Sequence, residues 1–342
     1  MKTKPIYLVL SLLLFTAFYS CSKPTQKKHN PGHYVAVTPD IEIADIKYLN
    51  EPGLRGVQKR YHWKVLEPEK GKYDFSMIKK DLDELAMEDK QLIVFIIDVS
   101  FWKRSALPDY LAMYDSYSEG EGFCPIRWHP TVVKSFIELG EALGAEFDKH
   151  PNFEGIATQE TSMGISKVGI EKFGYTHEKY ANSLIERLIG LSKGIPNSNV
   201  FWYQNFLGDF DDSSMYLRQI ADSITDHGIY MGGPDILPYR KGIKTVSYPM
   251  YADYKDTFTL FCSMQDCSYK HHKIDTVLSL IEPLHEEGYL SMEELFKYGR
   301  DSLHLTYILW KYYYDGIEEG HHSFDDAIDV IRKYPTFNLV KQ

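Results

Sequence analysis

Cysteine is scarce in this chain of 342 residues: there are four, at positions 21, 124, 262 and 267. Cys21 is the expected lipidation site described below, so Cys124, Cys262 and Cys267 remain and at most one disulfide can form. A disulfide-stapled scaffold is excluded. No Cys/His spacing reads as a zinc site, and no His-x-His or other clustered ligand pattern points to a metal-dependent hydrolase. No metal and no cofactor is expected. The pairs His271-His272 and His321-His322 sit among polar residues and read as solvated loops. Positive charge is also short, with 38 Lys and Arg against 48 Asp and Glu, a net charge of −10. Nucleic-acid affinity rests on neutralising phosphates, so no nucleic-acid partner is expected. Internal repeats and low-complexity segments are missing as well. Nothing in the chain sets an oligomeric state.

A membrane-length apolar run is absent too. The run at residues 6–18 follows Lys2 and Lys4 and has the length of a signal-peptide apolar region, short of a comfortable span. Ser20-Cys21 comes next, then a polar stretch over 22–30. The pattern resembles a bacterial lipoprotein signal, with cleavage before Cys21 and a lipid on its thiol. Phe18 departs from it, standing where Leu is commoner. A plain secretory leader is the alternative, and either one exports the chain. The expected organisation is a signal over 1–20, a polar tether over 21–32 and one folded domain over 33–342. The expected location is the cell envelope, with the lipid as the sole membrane attachment.

Hydrophobic residues make up 44% of the chain, enough for a large core. Short apolar runs of strand length alternate with amphipathic stretches of helical period. Strands are expected at 33–38, 56–63, 91–97, 153–157, 200–206, 229–237, 257–264 and 303–310. Helices are expected at 76–89, 131–147, 180–191, 215–226, 291–300 and 324–334. Ser291 and Glu294 have capping-box spacing. The long stretch between 98 and 130 is rich in aromatics and glycine, and loops of that length are usually functional or mobile. Eight strand–helix alternations argue a parallel sheet, and eight in this length argue a single-domain α/β (β/α)8 TIM barrel. An open doubly wound sheet is the competitor. Its dinucleotide-binding form loses support because no Gly-x-Gly-x-x-Gly follows the first strand.

The organising stretch is 153–163. Gly155, Ile156 and Ala157 suit a strand buried on both faces. The polar group Thr158, Gln159, Glu160, Thr161 and Ser162 then ends it. A carboxylate at that exit needs a reason, because carboxylates are rarely buried unless paired or functional. In such barrels, active sites lie at the C-terminal ends of the strands. The other exits are polar as well: Asp98, Gln204-Asn205, Asp235 and Gln265-Asp266, with Arg60 and Trp63 leaving strand two and Trp310 closing strand eight. Aromatic residues reach 14%, including 26 Tyr and 5 Trp, and their faces suit the apolar patches of sugar rings.

The segment 60–75, with Trp63-x-x-Leu66-Glu67-Pro68-Glu69-Lys70-Gly71-Lys72-Tyr73-Asp74-Phe75, resembles the second-strand segment of clan A glycoside hydrolases. Glu67 and Asp74 read there as caps of the turn into the next helix. The resemblance implies a carbohydrate substrate, an Asn-Glu acid/base at the exit of strand four and a Glu nucleophile at the exit of strand seven. Gln159-Glu160 occupies the first place, with Gln for Asn. No clean strand ends in Glu at the second. Asp266 is the best positional candidate there, and Glu282 the other. Glu160 and Asp266 are therefore the expected catalytic pair. Arg60, Trp63, Asp98, Gln159, Tyr203, Gln204, Asn205, Asp235, Gln265 and Trp310 are the expected sugar-binding residues, Trp63 and Trp310 as stacking platforms. For Asp98 and Asp235, pairing with Arg60 and Arg240 is the alternative. A barrel that binds glycans without cutting them remains the rival reading.

Overall fold

The structure is a computed structural model that describes residues 27–100, 104–117, 122–162, 167–207, 210–238, 241–269, 290–313 and 321–337. The expected signal, Cys21 and Glu282 lie outside the described residues. Eight parallel strands close into a barrel in which each neighbours the next in sequence and the last pairs with the first. They are Gly32–Val37, Leu54–His62, Gln91–Ile97, Phe153–Ala157, Asn199–Tyr203, Ile229–Pro234, Leu260–Met264 and Tyr307–Lys311, called strands one to eight here. The single-domain (β/α)8 architecture is the one that the alternation of short apolar runs and helices implies.

The helices between strands begin where local chemistry starts them. Pro130–Phe147 has Pro at its first turn, where the missing N–H has no partner to lose. Thr176 caps His177–Gly194 by accepting from the Lys179 amide. The capping box at Ser291 and Glu294 is present in both directions. Several elements escaped the sequence reading, among them a helix and a hairpin. Helix Lys241–Tyr254 carries Pro249 in its interior, which breaks the apolar period. An antiparallel hairpin of Asp115–Tyr117 with Phe123–Pro125 sits in the long segment after strand three. Strand eight starts at Tyr307 rather than 303, because the amides of Leu303 and Leu305 bond back to the carbonyls of Tyr298 and Gly299 (3.1 Å each) and His304 is left-handed, with φ of 55°.

Strand pleating sends alternate side chains inward and outward. Inward go Tyr34, Ile93, Phe95, Phe201, Tyr203, Phe261, Tyr307 and Leu309, which fill the barrel. Outward neighbours such as Val57, Val94, Trp202 and Ile308 pack under the helices in the larger core. Strands four and five approach so closely at Gly155 that a Cβ there would stand 1.9 Å from the Asn199 carbonyl. Only glycine allows that register.

The N-terminal end of the barrel is stoppered by residues ahead of strand one. Lys28 Nζ donates to the carbonyls of Asp148 (2.8 Å), His150 (2.7 Å) and Phe153 (2.8 Å) and to Ser198 Oγ (2.9 Å). Asn30 donates from its backbone (3.2 Å) and its amide (2.7 Å) to the fully buried Glu154, which also accepts from Tyr307 Oη at 2.7 Å. The expected tether over 21–32 is therefore part of the barrel from Lys27 on. Lys28, in the polar run over 22–30, is surrounded by carbonyls.

Candidate active site

A cavity of about 360 Å³ opens at the C-terminal ends of the strands, within the size range of small-molecule sites. Glu160, Gln159, Arg60 and Gln265 line it, from the exits of strands four, two and seven. Thr38, Pro39 and Asp40 line it from the exit of strand one, with His62, Phe95, Ile97, Val99 and Ser100 completing the wall.

Glu160 is half-buried and is held by side-chain amides. Asn205 Nδ2 donates to its Oε2 at 2.9 Å, and Gln265 Nε2 approaches its Oε1 at 3.5 Å. The Asn205 orientation is forced, because its Oδ1 accepts from the backbone amides of Ser162 (2.9 Å) and Phe206 (2.7 Å). Those are obligate donors, so the NH₂ must face Glu160. Below this, Arg127 Nη1 donates to the Glu160 carbonyl at 2.6 Å. The same guanidinium grips the buried Asp98 through Nε at 3.0 Å, and Arg187 Nη2 adds a second contact at 2.9 Å. Burial pulls the Asp98 carboxyl up, and the two guanidiniums more than reverse this, holding it below the ordinary aspartate value.

Of the residues expected to bind sugar, Arg60, Gln159 and Gln265 reach the cavity. The Gln159 amide is committed to backbone, accepting from Asp98 N (3.1 Å) and Val99 N (2.8 Å) and donating to Val99 O (3.1 Å). Asn205 acts on Glu160 from behind. Asp98 is a buried ion-pair member, with Arg127 and Arg187 where Arg60 was the expected partner. Tyr203 lies inside the barrel, exchanging hydrogen bonds with Gln58. Gln204 is fully buried, and neither of its amide atoms has a partner among the described residues. Asp235 is buried away from the cavity in a left-handed conformation, with φ of 62°, and Arg240 lies outside the described residues.

The expected platforms are packing residues. Trp63 is fully buried edge-on to Phe136, with its indole N–H on Glu67 at 2.9 Å. Glu67 also accepts from Gly71 N and Tyr110 Oη, each at 2.9 Å. The Trp…Glu…Gly motif is thus a turn organised by one buried carboxylate. Trp310 points outward from strand eight, fully buried, and donates to His33 Nδ1 at 3.0 Å. Its place on the pleat, next to the inward Leu309, excludes it from the mouth.

Asp266 is likewise displaced. Strand seven ends at Met264; Gln265 turns into the cavity and Asp266 turns to Lys311, with which it forms an ion pair. The carboxylate that does share the cavity with Glu160 is Asp40. Its pKa is lowered, chiefly by the Thr38 hydroxyl. A polar Thr-Pro-Asp exit from strand one was the available signal. The sequence reading named no candidate there.

A closed eight-stranded parallel barrel of this kind is shared with solved glycoside hydrolases. The catalytic domain of a β-amylase from Paenibacillus polymyxa superposes with a TM-score of 0.57 at 8% identity, over 82% of this chain and 92% of that one. A second glycoside hydrolase gives 0.56 at 12%, over 88% and 99%. An endoglucanase from Pseudomonas stutzeri gives 0.54 at 12%, over 89% and 94%. At these identities the likeness is one of fold. No family model and no curated protein matches the sequence.

Proposed function

We propose that the protein binds a saccharide in the cavity at the barrel mouth and hydrolyses a glycosidic bond. The observation that carries this is the amide-held Glu160 in a sugar-sized cavity that also contains Asp40. In this reading protonated Glu160 gives its proton to the glycosidic oxygen as the C–O bond breaks. Asp40 removes a proton from the water that attacks the anomeric carbon. That assignment makes the reaction inverting. Gln265 stands where the resemblance calls for a nucleophile, and an amide cannot form the glycosyl ester that a retaining route needs.

The test is incubation with a panel of oligosaccharides, with products resolved by carbohydrate electrophoresis and the first-formed anomer read by NMR. Glu160→Gln and Asp40→Asn are each expected to abolish turnover without loss of fold. Undiminished turnover by Glu160→Gln would remove that residue from the role of acid. The second reading, capture of a glycan without cleavage, is favoured by one observation, the amide of Gln265 at the exit of strand seven. It predicts saturable binding with no product.

A further inference from the structure

Arg60 is the cavity residue with an unused charge. Strands two and three pair Arg60 with Phe95, and its guanidinium lies 5.2 Å from the centre of that ring. Half-buried and stacked in this way, it makes no hydrogen bond or ion pair among the described residues. The carboxylates beside it are engaged elsewhere, Asp40 by Thr38 and Glu160 by Asn205. The Arg60 side chain also forms the wall of a small hollow of about 10 Å³ next to the main cavity, room for about one water-sized group. Gln265 and Lys311 are on that wall and no acidic residue is. Lys311 is already paired with Asp266, whereas Arg60 has no ion-pair partner among the described residues.

A guanidinium has five donors in a planar fork matched to an oxyanion. Aliphatic or neutral hydroxyl ligands would leave that charge without a counter-ion, whereas a carboxylate would take two of its donors at once. We propose that the saccharide bound here is acidic, with a uronic-acid carboxylate on Arg60 and one oxygen directed into the hollow toward Gln265. A sulfate ester offers the same oxyanion chemistry from another source. This inference rests on the saccharide reading above and names its substrate class; it does not need the bond to be cut.

The experiment is calorimetric titration of the full chain with three tetrasaccharides: an oligouronate, its carboxyl-reduced neutral counterpart and a sulfated analogue of that counterpart. Arg60→Gln and Arg60→Lys run alongside, with melting curves to verify folding. The oligouronate is expected to bind about tenfold or more tighter than the neutral form, with an advantage that falls as salt rises. Arg60→Gln is expected to erase that advantage, and Arg60→Lys to keep part of it. An Arg60-dependent preference for the sulfated sugar alone would keep the acidic class and replace the carboxylate by sulfate. Equal affinity for acidic and neutral sugars, a preference that survives in Arg60→Gln, or no binding of any of the three overturns the proposal. Arg60-dependent binding without product would sink the hydrolase reading and leave this one standing. Glu160-dependent cleavage of the neutral sugar, with no preference for the acidic one, would do the reverse.

Discussion

Replacing Asp98 by asparagine keeps the side-chain shape and deletes its charge. In the native protein both oxygens are occupied: Oδ2 accepts from Arg127 Nε at 3.0 Å and from Arg187 Nη2 at 2.9 Å, and Oδ1 accepts from Arg127 Nη2 at 2.5 Å. All three residues are buried. The variant leaves two guanidiniums without a counter-ion and turns an NH₂ toward one of them. Removing one partner of a buried pair costs about 3–5 kcal/mol. At roughly 2–4 °C per kcal/mol for a domain approaching this size, the melting temperature should fall by on the order of 10 °C. Differential scanning calorimetry at pH 7 reads this directly. A second comparison tests the cause. Because the folded Asp98 pKa is depressed, its contribution is complete above the unfolded value of about 3.9 and is lost as pH falls through the lower folded value. The gap between native and Asp98→Asn proteins should therefore close at the acid end, below about pH 4. A melting point within about 2 °C of the parent at pH 7, or a gap that does not depend on pH there, would refute the reasoning.

Other outcomes follow from neighbouring contacts. His33 is buried, and burial pushes its pKa down to about 4, so the unfolded chain binds more protons than the folded one between about pH 6.5 and 4. Stability should fall as pH falls across that window, by about 3 kcal/mol in all, and urea titrations at pH 7 and 4.5 that agree would contradict it. Trp310→Phe removes the donor to His33 and should lower stability by about 1–3 kcal/mol while leaving saccharide affinity unchanged; a weakened sugar titration would return Trp310 to the cleft. Lys28→Met strips a donor from three carbonyls and a hydroxyl, and a loss of about 3 kcal/mol in denaturant is expected, against none if the segment were a free tether.

What could be read from the sequence was whatever repeats with a period. Seven of the eight strands announced themselves as apolar runs within a few residues of their true span, and the closed barrel followed from their alternation with helices. Strand eight was found but started four residues early, because Leu303 and Leu305 alternate with His304 and Thr306 in the way of an extended chain. At the site, Glu160 reached the cavity because the residues just before it, Gly155 to Ala157, are a buried strand that delivers it to the mouth. The error at strand seven lies just past its end. The strand stops at Met264, Gln265 faces the cavity, and Asp266 opens the short helix Asp266–Tyr269 and faces Lys311. Residue type cannot reveal which of two adjacent polar side chains turns inward when neither packs against a core. Trp63 and Trp310 failed for the related reason that an indole serves equally well as a sugar platform or as buried filling, and a single carboxylate (Glu67) or imidazole (His33) decides which.

The stopper of Lys28 and Asn30 has a directional consequence. It fixes the incoming chain to the face of the barrel opposite the mouth. For a polypeptide held by a lipid at Cys21, the six steps to Lys27 reach at most about 20 Å when drawn straight. We propose that a bilayer would then lie beneath the stoppered face, with the cavity bearing Glu160 facing the aqueous side and away from headgroups.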